Sequence, residues 1–93
     1  MRLLVTPTFE RALKKLHRQQ KFLLDEAIRL ISQNPDIGEG KVGDLAGVKV
    51  HKFRMETLVF LIAYRVIDQD TIKLLMFGSH ENFYRDLKRT EQD

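Results

Sequence analysis

Apolar residues recur at i, i+3, i+4 and i+7 from Phe9 (Phe9, Ala12, Leu13, Leu16), the spacing of a helix with one face on a core. Arg11, Lys14, Lys15 and Arg18 take the opposite, solvent face. Thr8 is the expected N-cap, and Glu10 lies in the first turn, where a carboxylate favours the positive helix end. Upstream, Arg2 to Thr6 reads as a short strand stopped by Pro7, which has no N–H for a ladder. His17 to Gln20 has no apolar member and reads as a turn. Leu23, Leu24, Ala27, Ile28, Leu30 and Ile31 then restart the period and predict a helix from about Gln20 to Gln33. Asn34-Pro35 ends it, because a residue before proline is driven out of the helical region.

The pattern then changes. Asp36 to Gly47 carries four glycines (Gly38, Gly40, Gly43, Gly47) and reads as an irregular connection. Val48, Val50 and Phe53 alternate loosely with Lys49, His51, Lys52 and Arg54, predicting a half-exposed strand, with Met55-Glu56 as a turn. Thr57 to Ile67 is rich in β-branched and aromatic residues, as in a strand buried on both faces at its centre. Asp68-Gln69-Asp70 is a turn and Thr71 to Phe77 a third strand of the meander. Gly78-Ser79 breaks it, and a last helix from His80 to about Thr90 turns Phe83 and Leu87 inward. The expected fold is one α+β domain over residues 1–93, order βααβββα, an antiparallel sheet with helices packed on it.

Composition narrows the chemistry. The chain has no cysteine, which excludes disulfides and thiolate-held metal centres. The net charge of +3 is unevenly placed: Met1 to Lys21 holds six bases (Arg2, Arg11, Lys14, Lys15, Arg18, Lys21) against Glu10 alone. Acidic groups collect at Asp68 with Asp70 and in the tail Glu91 to Asp93. A basic pole of this kind attracts phosphate or an acidic partner. The apolar runs Leu3–Val5 and Leu58–Tyr64 are too short for a signal peptide or a membrane span, so the expected location is cytoplasmic with no membrane partner.

Metal and nucleophile motifs are missing. His17, His51 and His80 have no zinc-ligand spacing, no glycine-rich loop runs from a strand into a helix, and neither Ser32 nor Ser79 sits in a nucleophile elbow. The informative group is basic and aromatic. In a regular strand Lys52 and Arg54 share one face and Lys49 and His51 the other, with Arg65 on the neighbouring strand. In the last helix, with Ser79 as N-cap, His80, Tyr84 and Lys88 recur at i, i+4 and i+8, one row of an imidazole, a stacking ring and a cation.

The order of elements, the segment Gly40 to Gly47 before Val48 to Arg54, the strand Leu61 to Asp68, and Gly78 to Arg89 together resemble the RelE/ParE superfamily, the toxins of bacterial type II toxin–antitoxin modules. The resemblance covers nearly the whole chain. It implies a RelE-type endoribonuclease that binds the ribosome and cuts mRNA without metal or cofactor, the substrate's 2′-hydroxyl attacking the adjacent phosphate. Such a reaction needs a base for the 2′-OH, cations for the charge on phosphorus and an acid for the leaving oxygen. His80 falls where some members carry a catalytic histidine and others an arginine, and Tyr84 at an aromatic position that orients the scissile nucleotide. Lys52 and Arg54 match the basic residues that stabilise the phosphate. Arg11, Lys14, Lys15 and Arg18, with Lys49, His51, Arg65 and Lys88, are the expected RNA-binding cations.

Two positions depart from the family. Leu61 stands near an arginine of RelE-type members and Val59 near an acid of others, which leaves the base open among His51, Lys52 and Glu56. The alternatives are a ParE-type inhibitor of DNA gyrase with the same fold and no nuclease site, and a degenerate member that only binds its antitoxin. The implied partners are a cognate antitoxin in a hetero-oligomer and the ribosome with mRNA, or gyrase instead.

Overall fold

The structure, a computed structural model, describes residues 1–92, with side chains to Thr90, so the side chains of the acidic tail expected at Glu91–Asp93 lie outside the described part. The chain runs β1 (Arg2–Val5), α1 (Pro7–Lys14), α2 (Arg18–Gln33), a 3₁₀ turn (Pro35–Ile37), β2 (Glu39–Gly40), a second 3₁₀ turn (Gly43–Leu45), β3 (Lys49–Met55), β4 (Leu58–Asp68), β5 (Thr71–Ser79) and α3 (Phe83–Gln92). The α+β order holds, with β2 added. The strands form one sheet, β1-β5-β4-β3-β2. It is mixed rather than antiparallel, because β1 pairs parallel with β5, Leu3 opposite Ile72 and Val5 opposite Leu74.

That topology places the helices. The chain leaves β1 at one edge and re-enters at β2 on the other, so α1 and α2 must cross one face of the sheet. Phe9, Leu24, Ala27 and Ile31 bury there against Met55, Ile62, Tyr64, Ile72, Leu74 and Phe77. On the other face α3 inserts Phe83 and Leu87 against Val48, Val50, Leu61, Ala63, Leu75 and Met76. Leu61 to Tyr64 is fully buried because both faces of β4 are covered at its centre. In β5, Ala63 pairs with Met76 but Tyr64 with Leu74, and the extra residue, Leu75, joins Met76 in the core under α3.

Several boundaries differ from the sequence reading. Thr6, not Thr8, caps α1: its hydroxyl accepts from Phe9 N at 3.0 Å and donates to the Leu75 carbonyl. Pro7 therefore opens the helix, where a missing N–H costs nothing. His17 caps α2 rather than lying in a turn, so Arg18 is the first residue of α2 and not the last of α1. Gln20 N donates to His17 Nδ1, and His17 N to Gln20 Oε1, a capping box. Met55 is a core residue of β3. The turn falls at Glu56-Thr57, with Glu56 at φ 60°. Gly78 and Ser79 do not break β5; they pair with Leu61 and Phe60.

Candidate functional site

The register of β3 and β4 sets the site. Lys52 lies opposite Leu61, and Arg54 opposite Val59, on the side of the sheet that carries α3. Leu61 is in turn opposite Gly78 of β5, so Lys52, Leu61 and Gly78 form one row about 10 Å long across three strands. α3 covers β5 and the second 3₁₀ turn and leaves this end of the sheet open: Lys52, Arg54 and Val59 are exposed. His80 follows β5 directly and is exposed at the rim of the same face.

His80 is not part of α3. Ser79 ends β5, Asn82 at φ 63° turns the chain, and the helix starts at Phe83. The expected helical row of His80, Tyr84 and Lys88 is thus reduced to Tyr84 and Lys88. The two rings meet all the same, 6.3 Å between centroids and edge-on at 81°, because the turn folds His80 back over the first turn of the helix. Phe83, edge-on to Tyr84 at 5.3 Å, anchors that turn in the core.

A neighbour that the sequence reading missed completes the cluster. Lys41 Nζ lies 4.9 Å from the centre of the Tyr84 ring and 3.4 Å from Glu39 Oε2. Burial by itself would lower the Lys41 pKa, but the Tyr84 hydroxyl and the Glu39 carboxylate outweigh it and hold the value above that of a free lysine. Glu39 pairs with Val50, and Lys41 N donates to the Val48 carbonyl, which sets both side chains on the α3 side. A strand of two residues shows no alternation, so only pairing reveals it.

Lys49, Arg65 and the cations of the helical layer do not join this group. Lys49 sits on the opposite face, 3.8 Å from Asp36 Oδ1. His51 borders the cluster at the sheet edge, and burial lowers its pKa, which favours the neutral imidazole. Arg65 is four residues from Leu61, about 13 Å along β4, and donates from Nη1 to the Ala46 carbonyl at 3.2 Å. Arg11, Lys14, Lys15 and Arg18 are exposed in the helical layer on the other side of the sheet. Glu56, one of the possible bases, is held by His17, Nε2 to Oε1 at 2.9 Å. With Nδ1 accepting from the backbone, Nε2 is the nitrogen that donates to the carboxylate. Among the described residues no His, Asp and Glu cluster is arranged to hold a metal, and no helix is long and apolar enough to cross a membrane. The group can stabilise a phosphate with Lys52 and Arg54, exchange a proton at His80 and stack a base on Tyr84.

Residues 3–88 match the family described as ParE-like toxin of type II bacterial toxin–antitoxin system. No curated protein sequence matches the chain. Among solved structures, a doubly substituted E. coli toxin RelE in the free state superposes with a TM-score of 0.74 at 16% identity, over 98% of this chain and 95% of that one. The intact E. coli RelBE toxin–antitoxin complex gives 0.67 at 17% identity, over 86% and 96%. The RelBE2 toxin–antitoxin complex of Mycobacterium tuberculosis gives 0.60 at 22%, over 85% and 96%. These likenesses establish the fold.

Proposed function

Because the chain belongs to the ParE-like toxins of type II bacterial toxin–antitoxin systems, we propose that it is a toxin of the RelE kind, a metal-independent endoribonuclease that cuts mRNA on the ribosome. The observation that carries this reading is the placement of Lys52, Arg54, His80 and Tyr84 on one face of the sheet, with Lys52 and Tyr84 lining one cavity and His80 against the Tyr84 ring. In the proposed reaction the 2′-oxygen forms a bond to the adjacent phosphorus and the bond from phosphorus to the 5′-oxygen breaks. The products are a cyclic phosphate and a 5′-hydroxyl. Lys52 and Arg54 offset the charge that builds on the phosphate oxygens. His80 delivers the proton to the leaving 5′-oxygen, with Tyr84 holding the nucleotide. Of the candidate bases, Glu56 is tied to His17 and Lys52 serves as a cation for the phosphate, which leaves His51, neutral and beside the cluster, to take the 2′-hydroxyl proton.

Two of the structures of similar fold are toxin–antitoxin complexes, which supports a cognate antitoxin as partner of this chain. A second reading, inhibition of DNA gyrase without chemistry, draws on Val59, which puts exposed apolar carbon on the open face, and on the buried Leu61 beside it, which offers no charge. Mapping mRNA 5′ ends after induction separates the two. Codon-phased ends that fall by about 10²–10⁴-fold in His80→Ala support the nuclease. Intact mRNA with gyrase-linearised plasmid overturns it in favour of the second reading.

A further inference from the structure

Between Tyr84 and the β2–β3 edge lies a cavity of about 330 Å³, lined by Ile37, Glu39, Val50, His51, Lys52 and Tyr84. It is at the small end of the range of ligand sites, roughly 300–1,000 Å³. Ile37 and Val50 are apolar and Tyr84 supplies an aromatic wall, while Glu39, His51 and Lys52 supply polar groups, so apolar and polar lining are both present, as the faces and edges of a nucleobase require. Such a slot suits a flat heteroaromatic ring, and unpaired RNA bases are bound by stacking on an aromatic side chain with hydrogen bonds to the base edge. Lys41 and Glu39 flank the slot. The lysine side chain is 20% exposed and lies against the Tyr84 ring, whereas that of Glu39 is 71% exposed and borders the cavity. An ionised carboxylate only accepts hydrogen bonds. It therefore suits a base edge presenting neighbouring N–H donors, of which guanine has two on its Watson–Crick edge.

We propose that this cavity is a nucleobase subsite for RNA, in which Lys41 is a positioning residue that fixes the Tyr84 ring and Glu39 selects bases with N–H donors, guanine first. The proposal rests on the nucleic-acid reading above but not on cleavage. Lys52, at the cavity margin and on the same face as Arg54, carries the base's phosphate toward the open end of the sheet.

The chain has two tyrosines and no tryptophan, and Tyr64 is buried, so quenching of tyrosine fluorescence reports on Tyr84. The full chain is titrated with single-stranded ribotetranucleotides of G, A, C or U, as His80→Ala to prevent cutting. The G oligonucleotide is expected to bind most tightly. Glu39→Gln levels the order of the four bases without loss of fold, since the side chain is largely exposed. Lys41→Met weakens all four by about tenfold, and Lys41→Arg restores them, the cation over the ring being kept. Equal binding of all four, unchanged in Glu39→Gln and Lys41→Met, overturns the proposal, as does absence of binding. Base-selective binding in a chain that leaves cellular mRNA intact sustains the subsite and rejects the nuclease.

Discussion

Gly38 donates its N–H to the Tyr64 hydroxyl at 2.9 Å, and a Cβ on Gly38 would stand 2.6 Å from that same oxygen. The hydroxyl in turn donates to the Pro35 carbonyl at 2.7 Å, so one buried phenol ties both ends of the turn after α2 to the sheet. Burial raises its pKa, which keeps it protonated and able to donate. Tyr64 therefore acts at a distance on the site: it seats the segment that delivers Glu39 and Lys41.

Gly38→Ala has no space to relax, because Tyr64 is itself fully buried, and is expected to cost about 1–3 kcal/mol. Tyr64→Phe leaves the Gly38 N–H and the Pro35 carbonyl unpaired, at a similar cost of about 1–3 kcal/mol. Urea unfolding checks both. Wild-type stability in Gly38→Ala would show that the approach is not tight.

Thr6→Ala and Thr8→Ala separate the observed cap from the one expected from sequence. Loss of the Thr6 hydroxyl removes the α1 cap and its bond to Leu75, about 1–2 kcal/mol. Thr8 only receives a long, exposed contact from Arg11 at 3.4 Å, so its loss stays within about 0.5 kcal/mol. The two melting temperatures decide it.

His51 makes stability depend on pH. Burial lowers its folded pKa below 6.5, so the unfolded chain binds a proton that the folded chain refuses. The contribution is intact above pH about 6.5 and is lost as the pH falls below it. His51→Asn should flatten the decline in melting temperature between about pH 7.5 and 5.5. An unchanged slope would assign the decline to other groups.

Lys52→Gln and Arg54→Gln change charge on an open face where nothing packs over them. Folding stability is expected to stay within about 0.5 kcal/mol of wild type. Affinity for single-stranded RNA drops, and the slope of log affinity against log salt decreases by about 0.7 for each contact removed. An unchanged slope would take both residues off the RNA path.

The sequence was informative wherever the signal is local. Period 3.6 located α1 and α2, β-branched runs located β3 to β5, and Asn34-Pro35 stopped α2 where proline chemistry requires. It misled where a partner overrides local preference. Gly78-Ser79 reads as a breaker, yet Leu61 and Phe60 supply their ladder partners and keep them in β5. His80 was displaced from the helix for the same reason, since a longer β5 delays the start of α3.

By itself the sequence determined the kinds and order of the main elements, the cysteine-free core and the alternation that puts Lys52 and Arg54 on one strand face. Those depend on side-chain chemistry and short-range spacing, which any window of the chain displays. Only the tertiary structure decided that β1 runs parallel, that the α1 cations lie on the far side of the sheet from Lys52 and Arg54, and that Lys41 and Glu39 reach Tyr84. Strand register and helix docking make those choices, through pairings between residues dozens of positions apart that no local pattern encodes.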